Sequence, residues 1–253
     1  VRNVRHPPIN FSEFDGVRYL HFGSVWVQGA MRMDDPVRLE LEYVRQMMAW
    51  LLFLDGRQRI LQLGLGAGAL TRFCHARLPH SRLTVIERSE SVVRAVRQFF
   101  SLPREGRRLS VKIKDAGRYV QRAPDAAHDV IQVDLYDEDA RGPVLDSVEF
   151  YGQCSRVLAP VGVIAVNLFG DDQGFAPSFE RISQAFGHRV LALPATVAGN
   201  RVVLGFKGPR IEVDWSVLER RAAALTQGYG LEAIDWVAAL KHDPSTSRQP
   251  FII

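Results

Sequence analysis

The sequence predicts an α/β fold in which a mostly parallel seven-stranded sheet is covered by helices on both faces and preceded by a short N-terminal β-hairpin. Three observations carry this prediction. From Arg59 onward, short apolar strand-like runs alternate with helix-like segments at short spacing, the pattern of a wound parallel sheet. The first of these runs, RILQLGLGAGAL at 59–70, ends in glycines and passes directly into a helical pattern. The last two strand candidates have no helix between them, which predicts an antiparallel pair at one edge.

Taken in order, residues 17–29, VRYLHFGSVWVQG, alternate apolar and polar around Gly23-Ser24 and predict two short strands joined by a tight turn. Residues 34–36, DDP, offer an aspartate N-cap with proline at the first helical position. Val37, Leu41, Val44, Met48 and Leu52 follow at helical spacing, so one long helix is expected to run to about Leu54. Strands are predicted at 59–64, 82–87, 109–114, 129–134, 161–167, 189–193 and 200–206. Helices are predicted at 89–100, 116–122, 145–157 and 176–186, and two more follow Pro209, at about 214–227 and 231–241. The expected organisation is an N-terminal hairpin segment at 1–33, a central α/β domain at 34–208, and a helical extension with a tail at 209–253.

Composition narrows the function classes. A hydrophobic share of 47% with 24% charged residues is ordinary for a globular domain. The longest apolar run, MMAWLLFL at 47–54, is too short to span a bilayer, and no signal-peptide pattern opens the chain, so no membrane partner is expected. Two cysteines, Cys74 and Cys154, suit the reducing cytoplasm. The net charge of +4 comes from scattered arginines with no basic run interleaved with aromatics, so no nucleic-acid partner is expected. Cys74, His75 and His80 are close in sequence but point in different directions on a helix, and no metal site is expected.

Ligands of an open parallel sheet bind outside the carboxyl ends of its strands, so the residues that finish each strand are the candidates. After the first strand come Gly64, Leu65, Gly66 and Gly68, whose bare backbone can turn sharply and approach a ligand. After the second comes Glu87, 23 residues beyond Gly64, where a carboxylate can accept from both hydroxyls of a ribose. These two features suit an adenosyl ligand or a dinucleotide equally. Asp115 and Ala116 end the third strand; Asp115 can accept from an adenine amino group, or can serve as the N-cap of the following helix. Asp134 ends the fourth strand and points to the reaction cleft. It opens an acidic stretch with Asp137, Glu138 and Asp139 that suits an amine or polyamine, although the last two read as a solvated loop. Strand-end acids beside a cationic sulfonium are electrostatically sensible, and beside a pyrophosphate they are not.

The glycine loop together with VIERSESVVRAVRQFF (85–100), KDA (114–116), VDLYDEDARGP (133–143) and FYGQCSRVLAPVGVIAVN (150–167) resembles the spermidine synthase family, the polyamine aminopropyltransferases. The match is best over about 58–170 and extends over 17–207. The resemblance implies a Rossmann-like class I S-adenosylmethionine-dependent methyltransferase fold. It also implies transfer of an aminopropyl group from decarboxylated S-adenosylmethionine to putrescine or a similar polyamine, releasing methylthioadenosine. By the same resemblance Gln28, within VWVQG, contacts the nucleoside, Glu87 holds the ribose and Asp115 the adenine. Asp134 orients and deprotonates the amine, and Asp137 helps bind the cation.

The chain departs from the family pattern at several positions. Gly66-Ala67-Gly68 stands where the family has Gly-Asp-Gly, which removes the acid that would pair with the aminopropyl ammonium. Arg38-Leu39-Glu40 stands where a Tyr-His-Glu is expected, Ser89 replaces an acid, Asn167 replaces a glutamine, and LPATVAGNRVVLGF (193–206) lacks a tryptophan. Three alternatives follow: an S-adenosylmethionine-dependent methyltransferase, favoured if Arg38 faces the site; a non-catalytic adenosyl-binding homologue; and a nicotinamide dehydrogenase, supported by the glycine pattern alone. The small N-terminal hairpin either pairs with a second copy or packs over the cleft, and a homodimer is expected.

Overall fold

The computed structural model describes residues 9–136, 144–169, 172–243, 246 and 252–253. Its centre is a seven-stranded sheet of β4 (Arg59–Leu63), β5 (Arg82–Glu87), β6 (Leu109–Ile113), β7 (His128–Val133), β8 (Leu158–Phe169), β9 (Val190–Ala192) and β10 (Asn200–Lys207). The strand order is β6-β5-β4-β7-β8-β10-β9. The chain winds outward from β4 to β6, then returns to the other side of β4 with β7, so the topological switch point lies between β4 and β7. All pairs from β6 to β8 are parallel, whereas β10 is antiparallel to both β8 and β9, as the missing helix predicts.

The central strands β4 and β7 are buried on both faces and read as nearly continuous apolar runs. Their polar exceptions, Gln62 and Gln132, are register partners. Gln62 Nε2 donates to Gln132 Oε1 at 2.9 Å, Thr71 Oγ1 donates to Gln62 Oε1 at 2.7 Å, and Gln132 Nε2 donates to the Met47 carbonyl at 3.0 Å. Each buried amide therefore keeps hydrogen-bond partners, and its burial is tolerated.

Helices α2 (Ala69–Arg77) and α3 (Glu90–Phe99) cover one face of the sheet together with the C-terminal α7 (Trp215–Tyr229) and α8 (Ala233–His242). On the opposite face lie α4 (Ala116–Arg122), α5 (Val148–Val157) and α6 (Asp172–Ala185). The starts of α3, α4, α5 and α7 are set by Ser89, Asp115, Ser147 and Asp214, each accepting a backbone N–H of the first turn. No described helix is long and apolar enough to cross a membrane.

Two local expectations are corrected. The N-terminal unit has three antiparallel strands, β1 (Ile9–Phe14), β2 (Val17–Phe22) and β3 (Gly29–Arg32). Its tight turn is Asp15-Gly16, with φ of 48° and 71°, the positive pair that a two-residue hairpin turn of matching twist needs. Gly23-Ser24 instead begins a longer connection that ends at Gln28. This sheet packs on the end of α3 in its own chain: the Phe11 and Phe99 rings lie 4.9 Å apart, and Arg18 Nη1 donates to the Phe99 carbonyl at 2.6 Å.

The second correction concerns the long helix. Helix α1 spans only Glu42–Gln46 and is followed by a single 3₁₀ turn at Ala49–Leu52, while Asp35 closes a turn onto the Arg38 amide. The cause lies in carbonyls claimed from elsewhere. Arg72 Nε takes the Pro36 carbonyl at 2.6 Å, and Arg45 Nη1 takes those of Leu39 and Glu40 at 3.0 and 2.8 Å. The apolar residues still turn inward, and Met47, Met48, Trp50 and Leu52 are fully buried.

Candidate active site

A cavity of about 430 Å³ opens at the carboxyl ends of the parallel strands, on the switch point. The strand ends form its floor. The 25–28 connection of the N-terminal unit, the start of α1 and the β9–β10 loop form its rim.

On the first half of the floor, Gly64 (φ +94°) and Gly66 (φ +50°) line the cavity. A Cβ on Gly64 would fall 2.1 Å from the Asp134 carbonyl oxygen, so the bare backbone is demanded first by the close approach of the β4 and β7 ends. A Cβ on Gly66 would lie 3.0 Å from the Gln28 carbonyl. Leu65 and Gly68 support the loop from outside the lining: Leu65 is buried and its amide donates to Glu87 Oε2 at 3.1 Å, while Gly68 (φ +74°) is the N-cap of α2. Behind the loop, the buried Arg72 donates to the carbonyls of Ala67, Phe100 and Pro36 at 2.5, 2.8 and 2.6 Å. Burial holds its pKa down to about 10.

Glu87 lines the cavity with one backbone amide on each oxygen, Leu65 N–H at 3.1 Å and Ser89 N–H at 2.8 Å. Burial raises its pKa against the pull of those amides. Asp115 caps α4, its Oδ1 accepting the Arg118 amide at 2.8 Å, and the residue lines the cavity beside Ala116. Gln28 lies at the rim above this half.

On the second half, Asp134 is enclosed at the end of β7. Asn167 Nδ2 donates to its Oδ1 at 2.9 Å and the Tyr43 hydroxyl donates to its Oδ2 at 3.4 Å. Burial raises the Asp134 pKa, and these two donors oppose the rise. Burial, then the neighbouring carboxylate, pushes the Tyr43 hydroxyl well above its ordinary range, so it remains a donor. The Tyr136 hydroxyl, also pushed up by burial, donates to the Asn167 carbonyl at 2.7 Å, and Asn200 Nδ2 donates to Asn167 Oδ1 at 3.0 Å. Apolar walls come from Ile9, Leu41, Leu135 and Leu145, with the Trp26 and Phe169 rings edge to face at 6.2 Å.

Of the expected site residues, the structure thus gathers Gln28, Gly64, Gly66, Glu87, Asp115, Ala116 and Asp134 around one cavity. Asp137, Glu138 and Asp139 lie outside the described residues. Arg38 is not among the lining residues; its side chain is 60% exposed and reaches Glu40 at 3.8 Å. The start of α1 reaches the site instead through Glu42 and Tyr43. Sequence reasoning missed Tyr43, Tyr136 and Asn200, although Tyr136 lies within VDLYDEDARGP and Asn200 within LPATVAGNRVVLGF. Among the described residues, no group of three His, Cys, Asp or Glu side chains could hold a metal ion.

Among the described residues, the lining holds the acids Glu42, Glu87, Asp115 and Asp134 against the cations Arg88 and Lys114. A pocket with surplus carboxylate at a nucleoside-type strand crossover suits a cationic ligand that carries a ribose. Residues 41–168 match the model of the spermine/spermidine synthase domain. The polyamine aminopropyltransferase of Chromobacterium violaceum is 35% identical over 235 residues, 93% of this chain and 90% of that protein. The chain belongs to the spermine/spermidine synthase family. Its members of this kind are transferases that move an aminopropyl group, and this chain is a transferase of that class. Among solved structures, a probable spermidine synthase from Corynebacterium glutamicum superposes with a TM-score of 0.72 at 25% identity, covering 92% of this chain and 90% of the other. A spermidine synthase in complex with the transition state analogue AdoDATO superposes with a TM-score of 0.66 at 20% identity, covering 96% and 88%, and shares the Rossmann-like methyltransferase fold.

Proposed function

We propose that the cavity binds decarboxylated S-adenosylmethionine with its nucleoside over the ends of β4, β5 and β6, and a polyamine acceptor such as putrescine over the ends of β7, β8 and β10. The observation that carries this reading is Asp134, a carboxylate enclosed in the protein yet lining the cavity. Glu87 accepts from the ribose hydroxyls, Asp115 and the start of α4 at Ala116 meet the adenine, and Gln28 closes over the nucleoside. A spermidine synthase of the same fold carries AdoDATO, which supports a decarboxylated sulfonium as the donor.

In the reaction the acceptor nitrogen's lone pair attacks the aminopropyl carbon bonded to sulfur. The carbon–sulfur bond breaks, its electrons stay on sulfur, and methylthioadenosine leaves. The acceptor must first be neutral. An alkylammonium near pKa 10.4 facing an ordinary aspartate near 3.9 is mismatched by roughly 6 units, about 9 kcal/mol. Burial narrows that gap from both sides, raising the carboxylate and lowering the ammonium. Asp134 takes the proton, and Tyr43 and Asn167 hold the carboxylate in place. Asp137 is proposed, on the family resemblance, to bind the acceptor's cation. Ala67 is 2% exposed and a Cβ on Gly29 would lie 2.6 Å from its own, so this loop position is closed by the N-terminal sheet. Among the described residues, Glu42 and Asp134 are the cavity carboxylates that can balance ammonium charge on the second half.

The test is methylthioadenosine release from decarboxylated S-adenosylmethionine and putrescine by wild type and Asp134→Asn. Turnover by the wild type that falls about 10²- to 10⁴-fold in the variant is expected for loss of a positioned base. Equal rates would remove Asp134 from the mechanism. We also propose a homodimer in a reducing cytoplasm. Strand β1 is an exposed sheet edge with Phe14 76% exposed, and both cysteines are free and buried. Sedimentation that gives a 28.4 kDa species at all concentrations would exclude the dimer.

A further inference from the structure

The acceptor half of the site contains a chain of side-chain amides that ends on the proposed base. Asn200, the first residue of β10, donates from Nδ2 to Asn167 Oδ1 at 3.0 Å, and Asn167 donates from Nδ2 to Asp134 Oδ1 at 2.9 Å. Asn167 and Asn200 are buried and line the same cavity as Asp134. The Asn200 backbone is pinned at both ends by Thr196, whose Oγ1 accepts the Asn200 amide at 2.9 Å and whose own amide donates to the Asn200 carbonyl at 2.8 Å.

A primary amide has one acceptor end and one donor end. With its oxygen occupied by Asn200, Asn167 must turn its N–H toward Asp134. Reversed, Asn167 would set its oxygen against a carboxylate oxygen, an arrangement relieved only when the carboxyl carries a proton. We propose that Asn200 is a positioning residue for the base: by holding Asn167 Oδ1 it fixes the amide in the orientation that favours ionised Asp134, ready to accept the acceptor's proton. The inference rests on the reading of Asp134 as base, but its geometry stands on the free protein.

Among the described residues, Glu42 on α1 lines the same half of the cavity, and the titratable groups acting directly on Asp134 are the hydroxyls of Tyr43 on α1 and Tyr136 just after β7. Burial holds both hydroxyls above the ordinary tyrosine range, so neither titrates where Asp134 does. A carboxyl titration that moves when Asn200 is replaced by an uncharged side chain therefore reports the amide chain.

The experiment follows the Asp134 carboxyl carbon by ¹³C NMR across pH in ¹³C-aspartate-labelled free protein, assigned by its loss in Asp134→Asn. Wild type is compared with Asn200→Leu and Asn200→Ala, which remove the donor without adding charge. The expected result is an upward shift of roughly half to one unit in both variants, the size of one lost hydrogen bond. The acid limb of kcat/KM should move with it, while methylthioadenosine affinity stays at the wild-type value. An Asp134 titration unchanged in both variants would overturn the proposal whatever happens to turnover; the alanine variant alone decides if the leucine variant does not fold. A shifted titration in a protein that transfers no aminopropyl group would instead count against the proposed function and leave the amide chain standing.

Discussion

Replacing Gly64 with alanine should damage stability and catalysis together, because this glycine separates the two strand ends that build the site. Two costs follow from the structure. The φ of +94° lies where L-residues are strained, at about 1–2 kcal/mol. The added Cβ would also sit 2.1 Å from the Asp134 carbonyl oxygen, so one strand end must move by roughly 1 Å to reach ordinary contact, an overpacking cost of about 1–3 kcal/mol. The sum is about 2–5 kcal/mol, or roughly 4–20 °C in Tm for a chain of this size. The residue forced to move carries the proposed base, and a misplacement of about 1 Å is worth roughly 100-fold in rate. Urea denaturation followed by tryptophan fluorescence reads the first effect, and methylthioadenosine release from the folded variant reads the second. A Gly64→Ala protein with wild-type stability and turnover would refute the claim that the strand ends approach this closely.

Further expectations concern the nucleoside half, the loop support and the acid response. Glu87→Gln should weaken methylthioadenosine binding by about 10- to 100-fold, since one accepting oxygen becomes an N–H donor and the other loses its charge; calorimetry giving an unchanged Kd would remove Glu87 from the ribose site. Arg72→Met should leave the carbonyls of Ala67, Phe100 and Pro36 without their donor and cost roughly 3 kcal/mol or more, and denaturant midpoints equal to wild type would contradict that support. His128 is buried and desolvated, with the Arg59 cation nearby, and its pKa is lowered to about 4 from an unfolded value near 6.5. Its stabilising contribution is therefore complete above about pH 6.5 and is lost as pH falls toward 4, by about 3 kcal/mol. In His128→Gln that part of the acid slope should vanish; the same slope in the variant would mean that other groups drive it.

The seven core strands and most of the helices were legible because their signals are local. The apolar runs of β4 and β7, the cap at Asp115, and the absence of a helix between β9 and β10 all act within a few residues. The segment 34–54 misled because its apolar spacing is helical while its carbonyls are taken by Arg45 and by Arg72, the latter 36 residues beyond Pro36. In the N-terminal unit the tight turn falls at Asp15-Gly16 rather than Gly23-Ser24, and the β2–β3 hairpin closes through the longer 23–28 connection. In the site, strand-end rules located Glu87, Asp115 and Asp134. Tyr43 meets Asp134 across 91 residues and Asn200 meets Asn167 across 33, pairings that no spacing in a single sequence discloses.

The most direct test of the account is calorimetric binding of decarboxylated S-adenosylmethionine and S-adenosylmethionine side by side, with methylthioadenosine as the common nucleoside reference. The carboxylate-rich lining and the exclusion of Arg38 from the cavity predict tighter binding of the decarboxylated compound: among the described residues the lining cations Arg88 and Lys114 follow β5 and β6 on the nucleoside half, so the extra carboxylate of S-adenosylmethionine would face Glu42 and Asp134. Tighter binding of S-adenosylmethionine would contradict the proposed donor and the assignment of the two halves of the site.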